Sequence, residues 1–152
     1  MNRINRTDSS NSDFQKLVKE LDLDLAIRDG DEHAFYAQFN KIDSIRNAIV
    51  LYEDNLAIGC GAIKEYEKGV AEVKRMYVLP EKRGHGFASI LLKELENWAF
   101  ELGYKKTILE TGIKQPEAIR LYTKNHYIRI SNYGQYAGVE NSVCFEKILV
   151  GK

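Results

Sequence analysis

Apolar residues recur at helical spacing in three stretches of the chain and at strand spacing in most of the others. Phe14, Leu17, Val18, Leu21 and Leu25 share one face of a helix that starts near Asp13, behind Ser/Asn/Asp capping residues, and stops at Asp29, Gly30 and Asp31. Residues 2–7 predict a short strand ahead of it. Residues 48–52, 56–66 and 70–79 are β-branched and apolar runs separated by the turn sequences Glu53-Asp54-Asn55 and Lys68-Gly69, which predicts an antiparallel meander. The segment from Pro80 to Gly84 breaks this pattern. Phe87, Leu91, Leu95, Trp98 and Leu102 then mark one face of a long helix, with Gly103 suited to its left-handed end. A strand at 107–111, a helix at 115–124 and strands at 127–130 and 143–149 complete the pattern. Residues 34–45, rich in Phe and Tyr, fit a short helix or a loop equally. Meander, then strand, helix, strand, helix, strand, implies an α+β (mixed α/β) fold, a sheet with helices on its faces.

Composition narrows the class. The 152 residues suffice for a core that buries roughly 70% of the unfolded surface. With no linker, repeat or low-complexity stretch, the whole chain, 1–152, reads as a single domain. Equal numbers of basic and acidic residues, 22 each, argue against a protein that coats nucleic acid, because that affinity needs a basic surplus. Cys60 and Cys144 lie far apart in apolar stretches, without a C-x-x-C or a His at ligand spacing, so they read as reduced, buried thiols and no metal site is expected. No apolar run approaches the roughly 18 residues that span a bilayer, and the first residues, MNRINRTDSSNSD, lack an apolar signal core. The expectation is a cytoplasmic protein with no membrane partner.

The segment that carries chemistry is Val73-Lys74-Arg75-Met76-Tyr77-Val78-Leu79-Pro80-Glu81-Lys82-Arg83-Gly84-His85-Gly86-Phe87-Ala88. A strand runs into a glycine-bearing loop, and the loop opens a long helix. Gly84 and Gly86 let backbone N–H groups converge where the helix dipole is positive, an arrangement suited to a phosphate or pyrophosphate. A plain tight turn at the start of a helix has the same sequence. Two nucleotide motifs fit poorly: the Walker pattern needs Gly-Lys-Ser/Thr, and the dinucleotide fingerprint needs a third Gly where Ser89 stands, after the first strand of a parallel βαβ unit.

Arg83-Gly84-His85-Gly86-Phe87-Ala88 fits R-x-x-G-x-A and resembles the acyl-CoA signature of the GCN5-related N-acetyltransferase family. Thirty-two residues after Arg83, Gln115-Pro116-Glu117-Ala118-Ile119-Arg120-Leu121-Tyr122 is similar to that family's N-x-x-A-x-x-L-Y helix. The resemblance covers residues 46–149 as the acyl-CoA-binding core, with 1–45 as the variable acceptor-side part. Glu110-Thr111-Gly112 and the residues to 118, with Tyr133-Gly134-Gln135-Tyr136 and Ser142-Val143-Cys144-Phe145, resemble a small bacterial branch whose substrates are mostly unassigned.

The resemblance implies the acyl-CoA N-acyltransferase fold, a central, mostly antiparallel, splayed mixed sheet with helices on both faces. It implies acetyl-CoA as cofactor, held by backbone N–H groups of Arg83, Gly84, His85, Gly86, Phe87, Ala88 and Ser89. Met76, Tyr77 and Val78 would line the pantetheine arm as a pseudo-strand and offer an N–H to the thioester carbonyl. Gln115 would contact the arm, and the arm would enter where the strand before the loop splays from residues 107–111. The reaction implied is direct attack by a primary amine, of a small molecule or a peptide, in a ternary complex. Tyr122, at the family's tyrosine position, would protonate the departing thiolate. Glu110, twelve residues before it, and Glu72, on the strand before the loop, are the candidate bases.

A core tyrosine and a structural carboxylate remain the plain alternatives for Tyr122 and Glu110. Tyr133 and Tyr136 are candidate substrate contacts, and Phe35, Tyr36 and Phe39 could line the acceptor pocket or pack the core. The family admits a homodimer, and an acyl-CoA-binding sensor that lost catalysis would keep the same loop. Gln115 replaces the usual Asn, and Asn125-His126-Tyr127 lacks the usual Gly, so Asn125 or His126 must take a left-handed conformation at a cost of about 1 kcal/mol. The neutral total also resolves along the chain. Residues 1–73 carry a net charge of −5 and residues 74–129, which hold both motifs, +5. A positive segment suits an anionic cofactor, and the negative one suits a cationic amine.

Overall fold

The polar segment after the first strand starts the first helix in a local way. In this computed structural model, which describes residues 2–29 and 45–150, strand β1 (Asn2–Thr7) gives way to helix α1 (Ser12–Asp29). The Asn11 side chain accepts a hydrogen bond from the Phe14 amide at 2.9 Å, one of the donors a helix start leaves over. Strands β2 (Asn47–Glu53), β3 (Leu56–Glu67) and β4 (Val70–Val78) come next, then helix α2 (Phe87–Glu101), strand β5 (Lys106–Gly112), helix α3 (Pro116–Lys124) and strands β6 (Ile128–Ile130) and β7 (Ser142–Ile148). The seven strands form one sheet in the order β1-β2-β3-β4-β5-β7-β6. Each lies within a few residues of its sequence expectation. Phe35, Tyr36 and Phe39 lie outside the described residues.

The chain divides into two compact units. The first comprises Met1–Lys64 and Val73–Leu95. Here β1 pairs antiparallel with β2, Asn2 opposite Glu53 through Thr7 opposite Ala48, and β2 pairs antiparallel with β3. Asp54 and Asn55 connect β2 to β3 with φ of 48° and 76°, the doubly left-handed turn that matches the twist of a hairpin. On β3, Cys60 and Ala62 pack with Phe14, Leu17 and Val18 of α1. The alternate residues Gly59 and Gly61 point to the other face. A Cβ on Gly59 would stand 2.9 Å from Leu91 Cδ1, and one on Gly61 2.8 Å from Leu95 Cδ1 and from Met76 Sδ. The paired glycines are what let α2 press its leucines onto that face. Helices therefore cover both faces of this part of the sheet.

The second unit comprises Glu65–Glu72 and Glu96–Lys152. The two-residue turn Lys68-Gly69 brings β4 back beside β3, and β4 then pairs in parallel with β5 over only three residues, Val70–Glu72 against Lys106–Ile108. β7 lies antiparallel between β5 and β6, with Glu110 opposite Cys144. A single parallel pair inside antiparallel ladders makes the sheet mixed. A buried polar network stiffens the unit: Thr107 Oγ1 and Tyr127 Oη are 2.8 Å apart, and Lys147 donates to Glu96 at 2.9 Å. The left-handed residue that the sequence required after α3 is His126, with φ 73°.

Candidate active site

In the first unit the candidate residues run from β4 to α2. Pro80–Lys82 forms a 3-10 turn, and Lys82 pairs with Glu53 of β2. Gly84 and Gly86 then both take φ of 83°, a conformation L side chains rarely adopt. A Cβ on either would meet nothing within 4 Å, so the space above this loop is open. The first i→i−4 bond of the helix runs from the Ile90 amide to the Gly86 carbonyl at 3.2 Å. The amides of Phe87, Ala88 and Ser89 therefore belong to the first turn, where the dipole is positive. Open space over two glycines and a helix start fits a pyrophosphate, which the backbone of residues 83–89 would hold.

The side chains nearby are already engaged. Arg83 donates to the Val78 carbonyl at 2.9 Å, its guanidinium 5.4 Å from the Tyr77 ring centre, and the His85 ring tilts against Phe87. Tyr77 is buried against α1, and Met76 leans towards Gly61. What Met76, Tyr77, Val78 and Arg83 have left to offer a ligand is backbone. Arg75, just before them, has φ 60°, a left-handed residue inside a strand.

In the second unit side chains converge. Tyr122 on α3 is 6% exposed and packs edge-on to Tyr127 at 5.7 Å and tilted to Phe145 at 6.0 Å. Burial, helped by the nearby negative charge of Glu110, pushes its pKa well above the usual 10, so the phenol stays protonated. Glu72, only 8% exposed, accepts a hydrogen bond from the Tyr133 hydroxyl at 2.7 Å. Tyr133 stands edge-on to both Tyr66 and Tyr136, at 5.1 and 5.9 Å. Burial first, then the charges of Glu110 and Glu72, raise Tyr136, and the same forces push the Cys144 thiol up to about 11. Two carboxylates thus act on one aromatic cluster. Gln115 starts α3 and turns back on Gly112, where a Cβ would come within 3.3 Å of its Nε2. Among the described residues no group of three His, Cys, Asp or Glu side chains is placed to hold a metal ion, and no helix is long and apolar enough to cross a membrane.

Residues 13–127 match the family model described as Acetyltransferase (GNAT) family. The chain belongs to the GNAT acetyltransferase family. Among curated relatives, this GNAT chain is 36% identical over 102 residues to the "IAA acetyltransferase" of Azospirillum brasilense, covering 66% of this chain and 67% of that one. It is 37% identical over 76 residues to the uncharacterized N-acetyltransferase YjgM of Escherichia coli, 49% of this chain and 46% of the relative. A solved structure described as an acyl-CoA N-acyltransferase from Klebsiella pneumoniae superposes with TM-score 0.83 at 30% identity, covering 99% of each chain. The fold is also shared, at TM-score 0.70 and 14% identity, by the Salmonella typhimurium acetyltransferase yncA solved with acetyl-CoA, covering 100% of this chain and 96% of that one. GNAT acetyltransferases use acetyl-CoA, and the protein is an acyltransferase of this α+β fold.

The fold joins some sequence candidates and separates others. Glu72 and Tyr133, 61 residues apart, form one hydrogen-bonded pair, and Glu110 lies within electrostatic reach of Tyr122 and Tyr136. Sequence reasoning missed Tyr66, which reaches the cluster because a Cβ on Gly134 would already meet its hydroxyl at 3.0 Å. It also missed Arg75, whose signal was a charged residue at an inward position of an apolar strand.

Proposed function

We propose that this GNAT protein moves the acetyl group of acetyl-CoA to a primary amine, of a small molecule or a peptide, by direct attack in a ternary complex. The observation that carries the reading is Tyr122: a buried phenol held neutral beside the negative charge of Glu110. A phenol that stays protonated suits protonation of a leaving thiolate. Acetyl-CoA, when bound, supplies the activated acetyl thioester.

The backbone of residues 83–89 would hold the pyrophosphate, and backbone N–H groups of Met76, Tyr77 and Val78 would face the arm and the acyl oxygen. Glu110 would take the proton of the incoming ammonium. Glu72, oriented by Tyr133, is the second carboxylate able to do so, and Tyr133 and Tyr136 would contact the acceptor. Net charge of −5 over residues 1–73 suits an acceptor that arrives as a cation. Two free, buried thiols suit a reducing compartment, the cytoplasm.

The test is a thiol-release assay over a panel of amines, read beside isothermal titration with acetyl-CoA. At least one amine should release free thiol at a rate that depends on both substrates. No acetyl-CoA binding at millimolar concentration would overturn the proposal. Tight binding without thiol release from any amine, with Tyr122→Phe and Glu110→Gln silent, would mark an acyl-CoA-binding module instead.

A further inference from the structure

We infer that Arg75 is a positioning residue for the acyl-transfer reaction: held at both ends by other elements, it fixes the left-handed step in β4 that aims the Met76–Val78 backbone. The inference rests on the proposed function, in which amides of that window act at the acyl group.

A left-handed non-glycine residue persists only where its surroundings over-determine it. At 60°, the φ of Arg75 is one that glycine would adopt freely, yet the sequence places a long charged side chain there. Two contacts account for it. Arg75 Nη1 donates to Asp22 Oδ1 of α1 at 2.8 Å, and the buried Cys60 thiol of β3 donates to the Arg75 carbonyl oxygen at 3.3 Å. One anchor grips the side chain and the other the peptide group, so the residue is fixed in rotation as well as in place.

The position of Arg75, directly before the Met76–Val78 window, gives the anchoring its effect. A left-handed residue turns a strand out of its ladder, as in β-bulges, and re-aims the next groups. Beyond the window the regular pattern is restored, where the Leu79 amide donates to the Ile58 carbonyl at 2.9 Å. Met76, Tyr77 and Val78 thus hang between two fixed points, and the orientation of their amides is set by Arg75 at one end. The ion pair is asymmetric. The Arg75 side chain is 3% exposed and Asp22 47%, so removing the carboxylate deprives a buried charge of that partner, while removing the arginine leaves a carboxylate that water can solvate.

This asymmetry gives a test in the full-length chain that an ordinary stabilising ion pair would not pass. Each variant is read well below its melting temperature for kcat, KM, acetyl-CoA affinity by titration, and hydrogen exchange of the Met76–Val78 amides without ligand. Arg75→Gly, which adopts the left-handed step without the Asp22 anchor, should keep at least a third of kcat. Arg75→Ala, which keeps the Cys60 bond to its carbonyl but has neither the Asp22 anchor nor glycine's freedom, should lose about thirtyfold. Asp22→Asn should lose about tenfold in kcat with acetyl-CoA affinity within twofold, and amide exchange should quicken about tenfold. Asp22→Glu should restore most of both. An Arg75→Gly variant no better than Arg75→Ala, or unchanged amide exchange in Asp22→Asn, would overturn the inference. Because exchange is read without turnover, a chain that shows the exchange pattern but releases no thiol with any amine sinks the proposed reaction and leaves the positioning role standing.

Discussion

The two compact units of this GNAT acetyltransferase put their candidate residues to work by different means. In the unit containing residues 73–95, side chains are turned inward or tied down, as Arg83 is to Val78 and Tyr77 to the α1 core, and the backbone of a glycine loop remains for a ligand. In the unit containing residues 96–152 the backbone is consumed by ladders, and side chains do the presenting: Tyr122, Tyr133 with Glu72, and Glu110. A site made of backbone demands conformations and tolerates changes of side chain. A site made of side chains demands identities. The same kind of substitution should therefore fail for opposite reasons in the two units.

The sharpest break in this contrast is expected at Gly86. Gly86→Val forces a β-branched residue to φ 83° and should weaken acetyl-CoA binding at least a hundredfold by titration, although the space around a Cβ is open. Equal affinity in the variant would mean that the loop conformation is not what binds. In the other unit, Tyr122→Phe removes one oxygen and no packing. It should lower kcat by about a hundredfold, the low end of general acid catalysis, with acetyl-CoA affinity within twofold. If affinity falls in step with kcat, the phenol binds and does not protonate.

A smaller effect tests burial in both units at once. Burial raises the pKa of the Cys60 thiol to about 12 and of the Cys144 thiol to about 11, against 9 for an ordinary thiol. The folded state thus holds these protons more tightly than the unfolded chain. Their stabilisation is complete below pH 9 and is lost as pH rises towards 11 for Cys144 and 12 for Cys60, on the order of 3 and 4 kcal/mol respectively. Urea midpoints measured from pH 8 to 11 should fall above pH 9, and Cys144→Ser should make that fall shallower throughout. The smallest effect is expected at a position outside both candidate sets. His126→Gly relieves a φ of 73° and should gain about 1 kcal/mol, or roughly 2–4 °C in Tm, with unchanged kcat.

Features set by neighbours along the chain were legible in the sequence. The turn at Asp54-Asn55, the close of α2 at Gly103 and the strained end of α3 each depend on a few adjacent residues, and each lies where the pattern put it. The glycine loop was legible for the same reason. Strand order was not, because nothing local says that β7 inserts between β5 and β6. Nor was the pairing of Tyr133 with Glu72, or of Arg75 with Asp22 53 residues away, since such contacts arise only when separate elements pack. Val73 to Val78 reads as an ordinary strand, and its left-handed step becomes visible only with the partners that impose it.

The hydrogen bond between Thr107 and Tyr127 also governs how this sequence can drift. Both side chains are buried, so Tyr127→Phe alone would strand the Thr107 hydroxyl, and Thr107→Val alone would cost the phenol its bond to Thr107 and leave it only its interaction with Glu96. Either single step is a loss, while Thr107→Val with Tyr127→Phe replaces the polar pair by an apolar one of similar shape. The two positions should change together across descendants of this chain, one lineage keeping the hydroxyls and another discarding both.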